Sequence, residues 1–504
     1  MTDLQLKAGQ NCWRVENADR FAFIIDGQDY FRALRESLMQ AKRLILMIGW
    51  DFDFEIEMLP GESDENGNAP DGMPNRVGEF LDALVDRREG LDIYLLKWSG
   101  GALVAPGGAL PAIRVKFLSP DQIHLAFDGC HPIGACHHQK IVVIDDSLAF
   151  CGGIDVTDGR WDRPAHRHAD PLRLSRAGEI SQPWHDASAI MSGPVAASLS
   201  ELARTRWKRA QGREVDESFE PGSSIWPESV PPALEDVRIA IARTEPPEND
   251  RPIVTEIEQL YLDSIAAARD IIYLESQYFC AESVTQAILD RLQEPDGPEV
   301  VIINPDAAQK YVEDQAMHVT RSRMVRTLRA HDPHDRFRIV HPVNDAEESI
   351  YVHAKIAIID DHLLRVGSSN IDQRSMGFDT ECDVAIVGDG TDTRAYIRKI
   401  RLKLLSEHLG LSPDEVTHSI ERFGSLVAAI DNLGSGPGRG LRPLPLREKD
   451  WLGEILSSTR LFDPRYRASA RARIGITSRH VFVGAGVLAA GALLWRLNRR
   501  RTRD

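Results

Sequence analysis

The amino-acid sequence predicts an α/β fold built twice over, and three observations lead there. Apolar, β-branched runs of about five to eight residues, the length of buried strands, alternate with segments of helical periodicity. These runs follow the same order in the two halves of the 504-residue chain. Each order ends in a charged pattern with matching internal offsets, the mark of an internal repeat. The expectation is α/β units around a sheet, twice, giving two pseudo-symmetric halves.

In the first half the strand candidates are Arg43–Asp53 (RLILMIGWDFD), Leu91–Trp98, Ile113–Ser119 (IRVKFLS) and the long run His137–Asp155 (HHQKIVVIDDSLAFCGGID). Leu59–Arg76, polar and rich in Gly and Pro, reads as a surface loop. Their counterparts in the second half are Arg269–Phe279 (RDIIYLESQYF), Pro298–Asn304, Arg336–Pro342 and Val352–Asp372 (VHAKIAIIDDHLLRVGSSNID). Val254–Ala268 and Val284–Leu292 between them carry helical periodicity. Stretches rich in Pro, Gly and Ser read as linkers. The predicted boundaries are a first half over 1–215, a linker over 216–236, a second half over 237–430, and a linker with a basic C-terminal region over 431–473.

With 42% hydrophobic and 27% charged residues the composition is globular, which excludes collagen-like, low-complexity and disulfide-scaffold classes. A net charge of −16 argues against non-specific wrapping of nucleic acid, and no nucleic-acid partner is expected. The charge is uneven: residues 451–504 hold eleven Arg, no Lys and three acids. The six cysteines show neither a CxxC pair nor metal-ligand spacing, and the N-terminus lacks an apolar signal region. These features predict a reducing, cytosolic location with cysteines as small buried apolar side chains. Near the C-terminus, Val481–Trp495 is an unbroken apolar run. As a helix it reaches about 22 Å, against about 30 Å of hydrocarbon, so it crosses only if the whole of 474–497 contributes and Arg479 and Arg496 snorkel. The expectation is a membrane-associated protein, on the cytoplasmic side, anchored through 474–497.

The repeated pattern supplies the chemistry. Lys140 and Lys355 lie two residues after His138 and His353, Asp145 and Asp360 seven, Gly152 and Gly367 fourteen, and Asp155 and Asn370 seventeen. Asp186 and Glu381 each precede a glycine by seven. On an extended strand, residues i and i+2 share a face, so each His projects with its Lys. Two halves brought together would place two imidazoles and two ammonium groups in one cleft. That set suits a phosphodiester: lysines neutralise non-bridging oxygens, and donors near Gly152–Gly153 and Ser368–Ser369 meet the charge of the transition state. One His attacks phosphorus while the other protonates the leaving oxygen, then reverses its role for water or an alcohol. Asp186 and Glu381 are expected to hold the imidazoles' other nitrogens. Trp50 and Trp161 are candidates to line a lipid channel. His131, His137, His185 and His362 match no common zinc spacing and are expected to contact phosphate or solvent.

His138–Asp145 (HQKIVVID) and His353–Asp360 (HAKIAIID) resemble the HxKxxxxD motifs of the phospholipase D superfamily, and both are complete. Phe150–Asp162 (FCGGIDVTDGRWD) is similar to the GG-D-GRWD segment of true phospholipases D, Ile271–Phe279 to their IYIENQYF segment, and Gly367–Glu381 to GSANINxRSxxGxxDSE. The resemblance covers roughly residues 20–430. It implies a duplicated α/β/α sandwich with one shared active-site cleft, no cofactor, no required metal at the reaction centre, and ping-pong chemistry through a phosphohistidine. By matched position it makes His138 the nucleophile and His353 the acid/base, with Lys140, Lys355, Asn370 and Ser368 on the phosphate. Glu381 falls on the orienting acid. The motif aspartates Asp145 and Asp360 belong to the same catalytic set. Gly153 and Asp155 depart from the second half, where Ser368 and Asn370 stand.

The implied reaction is hydrolysis of a glycerophospholipid at its distal phosphodiester to phosphatidic acid and a free headgroup. Phosphatidyl transfer of the cardiolipin synthase type is the close rival, since Asp372 in NIDQRS resembles the NxDxRS of those enzymes. A nuclease or nucleic-acid phosphodiesterase of the same superfamily fits the acidic body less well. The expected partners are a phospholipid and a membrane surface, and the chain is expected to act as a monomer because both motifs are present in it.

Overall fold

A computed structural model describes residues 4–100, 120–215, 225–248, 251–307, 311–434, 436–446 and 463–465. The first half contains β1 (Arg14–Ile25), α1 (Asp26–Leu38), β2 (Leu44–Gly49), α2 (Val77–Asp86), β3 (Asp92–Trp98), β4 (Ile123–Asp128), β5 (Ile141–Ile144), β6 (Leu148–Gly152), β7 (Trp184–His185), β8 (Ala187–Ser192) and α3 (Pro194–Gln211). The second contains β9 (Leu234–Glu245), β10 (Val254–Thr255), α4 (Glu256–Ala267), β11 (Ile271–Glu275), α5 (Glu282–Leu292), β12 (Glu299–Ile303), α6 (Tyr311–Ala330) and β13 (Phe337–Val343). It continues with β14 (Tyr351–Val352), β15 (Ile356–Ile359), β16 (Leu363–Gly367), α7 (Gln373–Gly377), β17 (Glu381–Val387), α8 (Thr391–Leu409), α9 (Pro413–Phe423), α10 (Leu426–Leu433) and β18 (Gly440–Pro443).

The sheet order displays the duplication. It runs β4–β3–β2–β5–β6–β8–β1 through the first half, then β9–β17–β16–β15–β11–β12–β13–β18 through the second. In each half three strands are parallel (β2, β3, β4; β11, β12, β13) and the motif hairpin (β5–β6; β15–β16) joins antiparallel. The halves are hydrogen-bonded along β1 and β9, the first strand of each, which pair antiparallel from Arg14↔Ile241 to Phe21↔Leu234.

Both sheet faces are covered, which explains why the strands read as continuous apolar runs. Alternate residues go to different cores. Phe21, Phe23 and Ile25 of β1, Leu46 and Ile48 of β2, Ile356 and Ile358 of β15, and Val384 and Ile386 of β17 enter an inner core with apolar residues of α3 and α8. Ala22, Ile24, Ile45 and Met47 instead face α1 and α2, and Ile272, Leu274, Ala357 and Ile359 face α4 and α5. β6 and β8 lie against β16 and β17 across the pseudo-axis, with Cys151 Sγ 3.9 Å from Cys382 Sγ. This is the duplicated α/β/α arrangement the sequence implies.

Several boundaries differ from expectation. Residues 216–224 of the first linker lie outside the description, and β9 already begins at Leu234, within the stretch read as linker. The second linker contains β18, which pairs with β13 and extends the second half past residue 430. Turn-forming residues in both stretches mask short apolar edges that the neighbouring strand captures. Ile113–Ser119 lies outside the described residues; the strand beside β3 is β4, whose alternating polar residues weaken its sequence signal. Leu59–Arg76 is irregular but tied down, because buried Arg35 donates to Asp71, Met73 O and Pro74 O. The apolar segment 474–497 also lies outside the described residues, and no described helix is long and apolar enough to cross a membrane.

Candidate active site

The HxK segments do not lie within the long strands; each immediately precedes one. Before β15, β14 pairs in parallel with β7 of the other half, Tyr351↔Trp184 and Val352↔His185. Before β5, His137 bridges Thr380 in the same manner. Each motif therefore starts by pairing with the opposite half and only then enters its own sheet. His138 N donates to Thr380 O (3.0 Å), and His353 N donates to His185 O (2.8 Å). The residue following each acceptor is an acid, Glu381 or Asp186.

The outcome is a crossed arrangement. His138 Nδ1 lies 3.0 Å from both carboxylate oxygens of Glu381, and His353 Nδ1 lies 2.7 Å from Asp186 Oδ2. Each half orients the other half's imidazole. A carboxylate only accepts, so Nδ1–H donates and each Nε2 keeps its lone pair. Both imidazoles line one cavity of about 280 Å³. Glu381 also accepts from Ser375 Oγ at 2.7 Å and from Ser368 Oγ, an all-donor surrounding that suits a carboxylate.

Lys140 Nζ donates to His138 O (3.0 Å) and stands 3.2 Å from Asp155 Oδ2. Lys355 Nζ donates to His353 O. Both lysines are buried, and neither is among the residues that line the cavity. Burial and then the two ammonium groups push the His138 imidazole well below its usual range. His353 is lowered by burial, Lys355 and Arg160. Burial brings Lys355 itself down to about 7, with Asp186 opposing the shift. Burial raises the carboxyls of Glu381 and Asp186. Both imidazoles are thus held neutral, the state a nucleophile requires.

Several candidates take other roles. Asp145 and Asp360 stand at the far end of their strands, in turns closed by Ser147 N to Ile144 O and His362 N to Ile359 O. Asp145, Asp146, Asp360 and Asp361 all have φ near +50°, the backbone of a type I′ hairpin turn, which Asp tolerates. The Asp145 carboxylate accepts from Lys42, Arg43 and Leu44 N (2.7–2.8 Å). Asp360 does the same for Arg269, Asp270 and Ile271 N. They hold the scaffold, not the reacting centre. Gly152 N and Gly153 N donate to Lys140 O and Ala187 O, so these amides are not phosphate donors. Glycine is required there by closeness: a Cβ on Gly153 would come within 2.1 Å of Asp186 Oδ1, and one on Gly152 within 2.4 Å of Ser188 Cα. The Ser368 hydroxyl serves Glu381. Asp155 lines the cavity, but its carboxylate accepts from Trp50 N (2.9 Å) and pairs with Lys140, making it a partner of the lysine and not of an anion. Asn370 lines the cavity too, its side-chain Oδ1 buried without a hydrogen-bond partner.

The cavity also presents groups the sequence reading passed over. Arg160, in the GRWD segment, lines it with its guanidinium 4.1 Å from the Trp184 ring centroid. Trp184 stacks on Tyr351 (4.7 Å) and lies 5.0 Å from the His353 ring. The GRWD signal was present, but it drew notice to Trp161, which lines a separate groove with Leu172 and Leu174. Trp50 does line the cavity and stacks on Trp98. Of the four histidines expected at phosphate or solvent, His131, His137 and His185 are buried. His131 accepts from Trp98 Nε1, and His137 Nδ1 meets Thr380 Oγ1.

Comparison with known proteins agrees with this geometry. The family described as "Phospholipase D" matches residues 128–231, and that described as "Cardiolipin synthase, PLD-like domain" matches residues 261–401. Phospholipase D alpha 1 of Nicotiana tabacum is 24% identical over 76% of this chain and 64% of its own length. Phospholipase D alpha 1 of Arabidopsis thaliana is 24% identical over 75% of the chain and 63% of its own length. The chain thus spans less than two thirds of the length of these relatives. The crystal structure of phosphatidylserine synthase from Haemophilus influenzae Rd KW20 superposes with a TM-score of 0.53 at 13% identity, covering 82% of this chain and 94% of that one. With two complete motifs, one in each matched region, converging on a single cavity, this chain belongs to the phospholipase D superfamily.

Proposed function

We propose that the protein is a phospholipase D, which hydrolyses the distal phosphodiester of a glycerophospholipid to phosphatidic acid and a free headgroup. The crossed His–carboxylate pairs facing one cavity are the observation that carries this reading. His138 Nε2 attacks phosphorus and forms the P–N bond. The bond to the headgroup oxygen breaks, and His353, which takes up a solvent proton at Nε2 as the anionic phosphodiester enters and offsets Lys355 and Arg160, gives that proton to the leaving oxygen. Water then attacks the phosphohistidine, gives its proton to His353, and releases His138. His138 suits the nucleophile's place, since its side chain is 14% exposed against 7% for His353. Asn370 and Arg160 face the substrate's non-bridging oxygens, with Lys140 and Lys355 behind them supplying positive charge.

Phosphatidyl transfer is the second reading, favoured by the cardiolipin synthase family match over residues 261–401. Headgroup release and product mass spectrometry across defined lipids, with and without added glycerol or phosphatidylglycerol, separate the two. Free headgroup with phosphatidic acid is expected to dominate, and cardiolipin as the main product from phosphatidylglycerol overturns the lipase. In this reading the protein reaches the substrate's membrane as a monomer, anchored through the apolar segment 474–497. Deleting 481–504 is expected to shift the protein from pelleted membranes to the soluble fraction while activity on detergent-dispersed lipid persists.

A further inference from the structure

Four side chains drawn from both halves converge in the interior next to Asp186. They are Asp26 at the β1–α1 junction, His166, His185 and Glu407 of α8. Asp26, His166 and His185 are fully buried and the Glu407 side chain is 4% exposed. His185 Nδ1 lies 3.1 Å from Asp26 Oδ1 and 2.9 Å from Glu407 Oε1. His166 Nε2 lies 3.4 Å from Asp26 Oδ2 and 3.2 Å from Glu407 Oε1. Asp26 Oδ2, His185 Nδ1 and Glu407 Oε2 have no hydrogen bond of acceptable geometry.

We propose that Asp26, His166, His185 and Glu407 form a structural site for a divalent transition metal of the zinc class. One ligand atom from each of the four residues lies within 4.8 Å of the others; a tetrahedron with bonds of about 2.0–2.1 Å to nitrogen and oxygen has edges of about 3.4 Å, so no edge needs to contract by more than about 1.4 Å. The donor set is two imidazole nitrogens and two carboxylates, which a dication neutralises. The outer nitrogens complete the pattern, because a metal-bound imidazole gives its other N–H to a carboxylate or carbonyl. His166 Nδ1 lies 3.0 Å from Asp162 Oδ2, and His185 Nε2 lies 2.8 Å from Glu275 Oε2. Asp162 is fixed in turn by Arg173.

Four protein ligands leave no position for substrate, which assigns the ion to structure and not to chemistry. Its place says what it secures. Asp26 N donates to Asp186 O at 2.8 Å, Asp186 N meets Asp26 Oδ1 at 3.2 Å, and His185 O receives His353 N. The ion would fasten Glu407 of the second half to the segment that carries the first half's orienting acid, Asp186.

The alternative occupant is protons, with the same groups held as imidazolium–carboxylate pairs, and metal analysis tells the two apart. Full-length protein, purified without chelators from zinc-supplemented cells, is expected to carry about one zinc per chain by mass spectrometry. After chelator treatment, Co²⁺ alone is expected to give the visible bands of a tetrahedral site, and Zn²⁺ alone to raise Tm by about 3 °C or more. The bands are expected to vanish in His166→Asn and to persist in His168→Ala, which removes an exposed imidazole. If His166→Asn does not fold, the wild-type protein decides. Less than about 0.1 metal per chain with neither Co²⁺ bands nor a Zn²⁺-dependent Tm overturns the site. So does metal retained in a folded His166→Asn.

Discussion

The two imidazoles are asymmetric in ways that give each residue a measurable signature. His138 meets the solvent-facing cavity and His353 packs beneath Trp184. Replacing either with Ala removes nucleophile or acid/base, and headgroup release is expected to fall by roughly 10³-fold or more; the double variant should be no worse, because the pair acts as one unit. Retention of a tenth of the activity in either single variant counts against the mechanism. Because His138 is held below the usual imidazole value, it stays neutral at pH values where free histidine protonates. The acid limb of kcat/KM is therefore expected below about pH 6.5. Lys355, at about 7, loses its charge as pH rises, so affinity for the anionic substrate is expected to weaken above that point. A limb centred at 6.5 with no alkaline weakening refutes the assignment. At this scale the sequence was informative about identity and silent about pairing. Equal offsets exposed Asp186 and Glu381, but offsets are counted along one chain and cannot reveal that each acid serves the opposite half's histidine.

The motif hairpins show how an element turns composition into position. Apolar runs made β5 and β15 legible, while their short HxK lead-ins owe their course to pairing with residues more than 150 positions distant. The family resemblance put the motif aspartate in the catalytic set, yet strand length carries it about 15 Å from its lysine. Its carboxylate gathers three backbone amides and fixes the start of the neighbouring strand. Asp145→Ala is expected to lower unfolding stability by about 2–4 kcal/mol, while KM of the folded fraction changes little. Asp145→Asn, which keeps one acceptor oxygen and tolerates the positive φ, is expected to cost less. Chemical denaturation of both variants, with kinetics on the folded protein, checks this; a loss of kcat without loss of stability contradicts it.

At the scale of the molecule, neither half contains a finished site. In the proposed mechanism the acid of the first half orients the acid/base of the second, so Asp186→Asn is expected to slow breakdown of the phosphohistidine and let it accumulate in rapid-quench experiments. Glu381→Gln is expected to slow its formation instead. Accumulation in the Glu381 variant alone would reverse the assignment of nucleophile. Duplication was readable in the sequence because repeats preserve order; the β1–β9 seam was not, since both strands are ordinary first strands whose pairing depends on how the halves meet. The crossing has a consequence during synthesis. Glu381 follows His138 by 243 residues, and at about 5–20 residues per second a ribosome needs roughly 12–50 s to make that stretch. Throughout that interval the nascent polypeptide bears a complete first motif whose histidine still lacks its carboxylate partner.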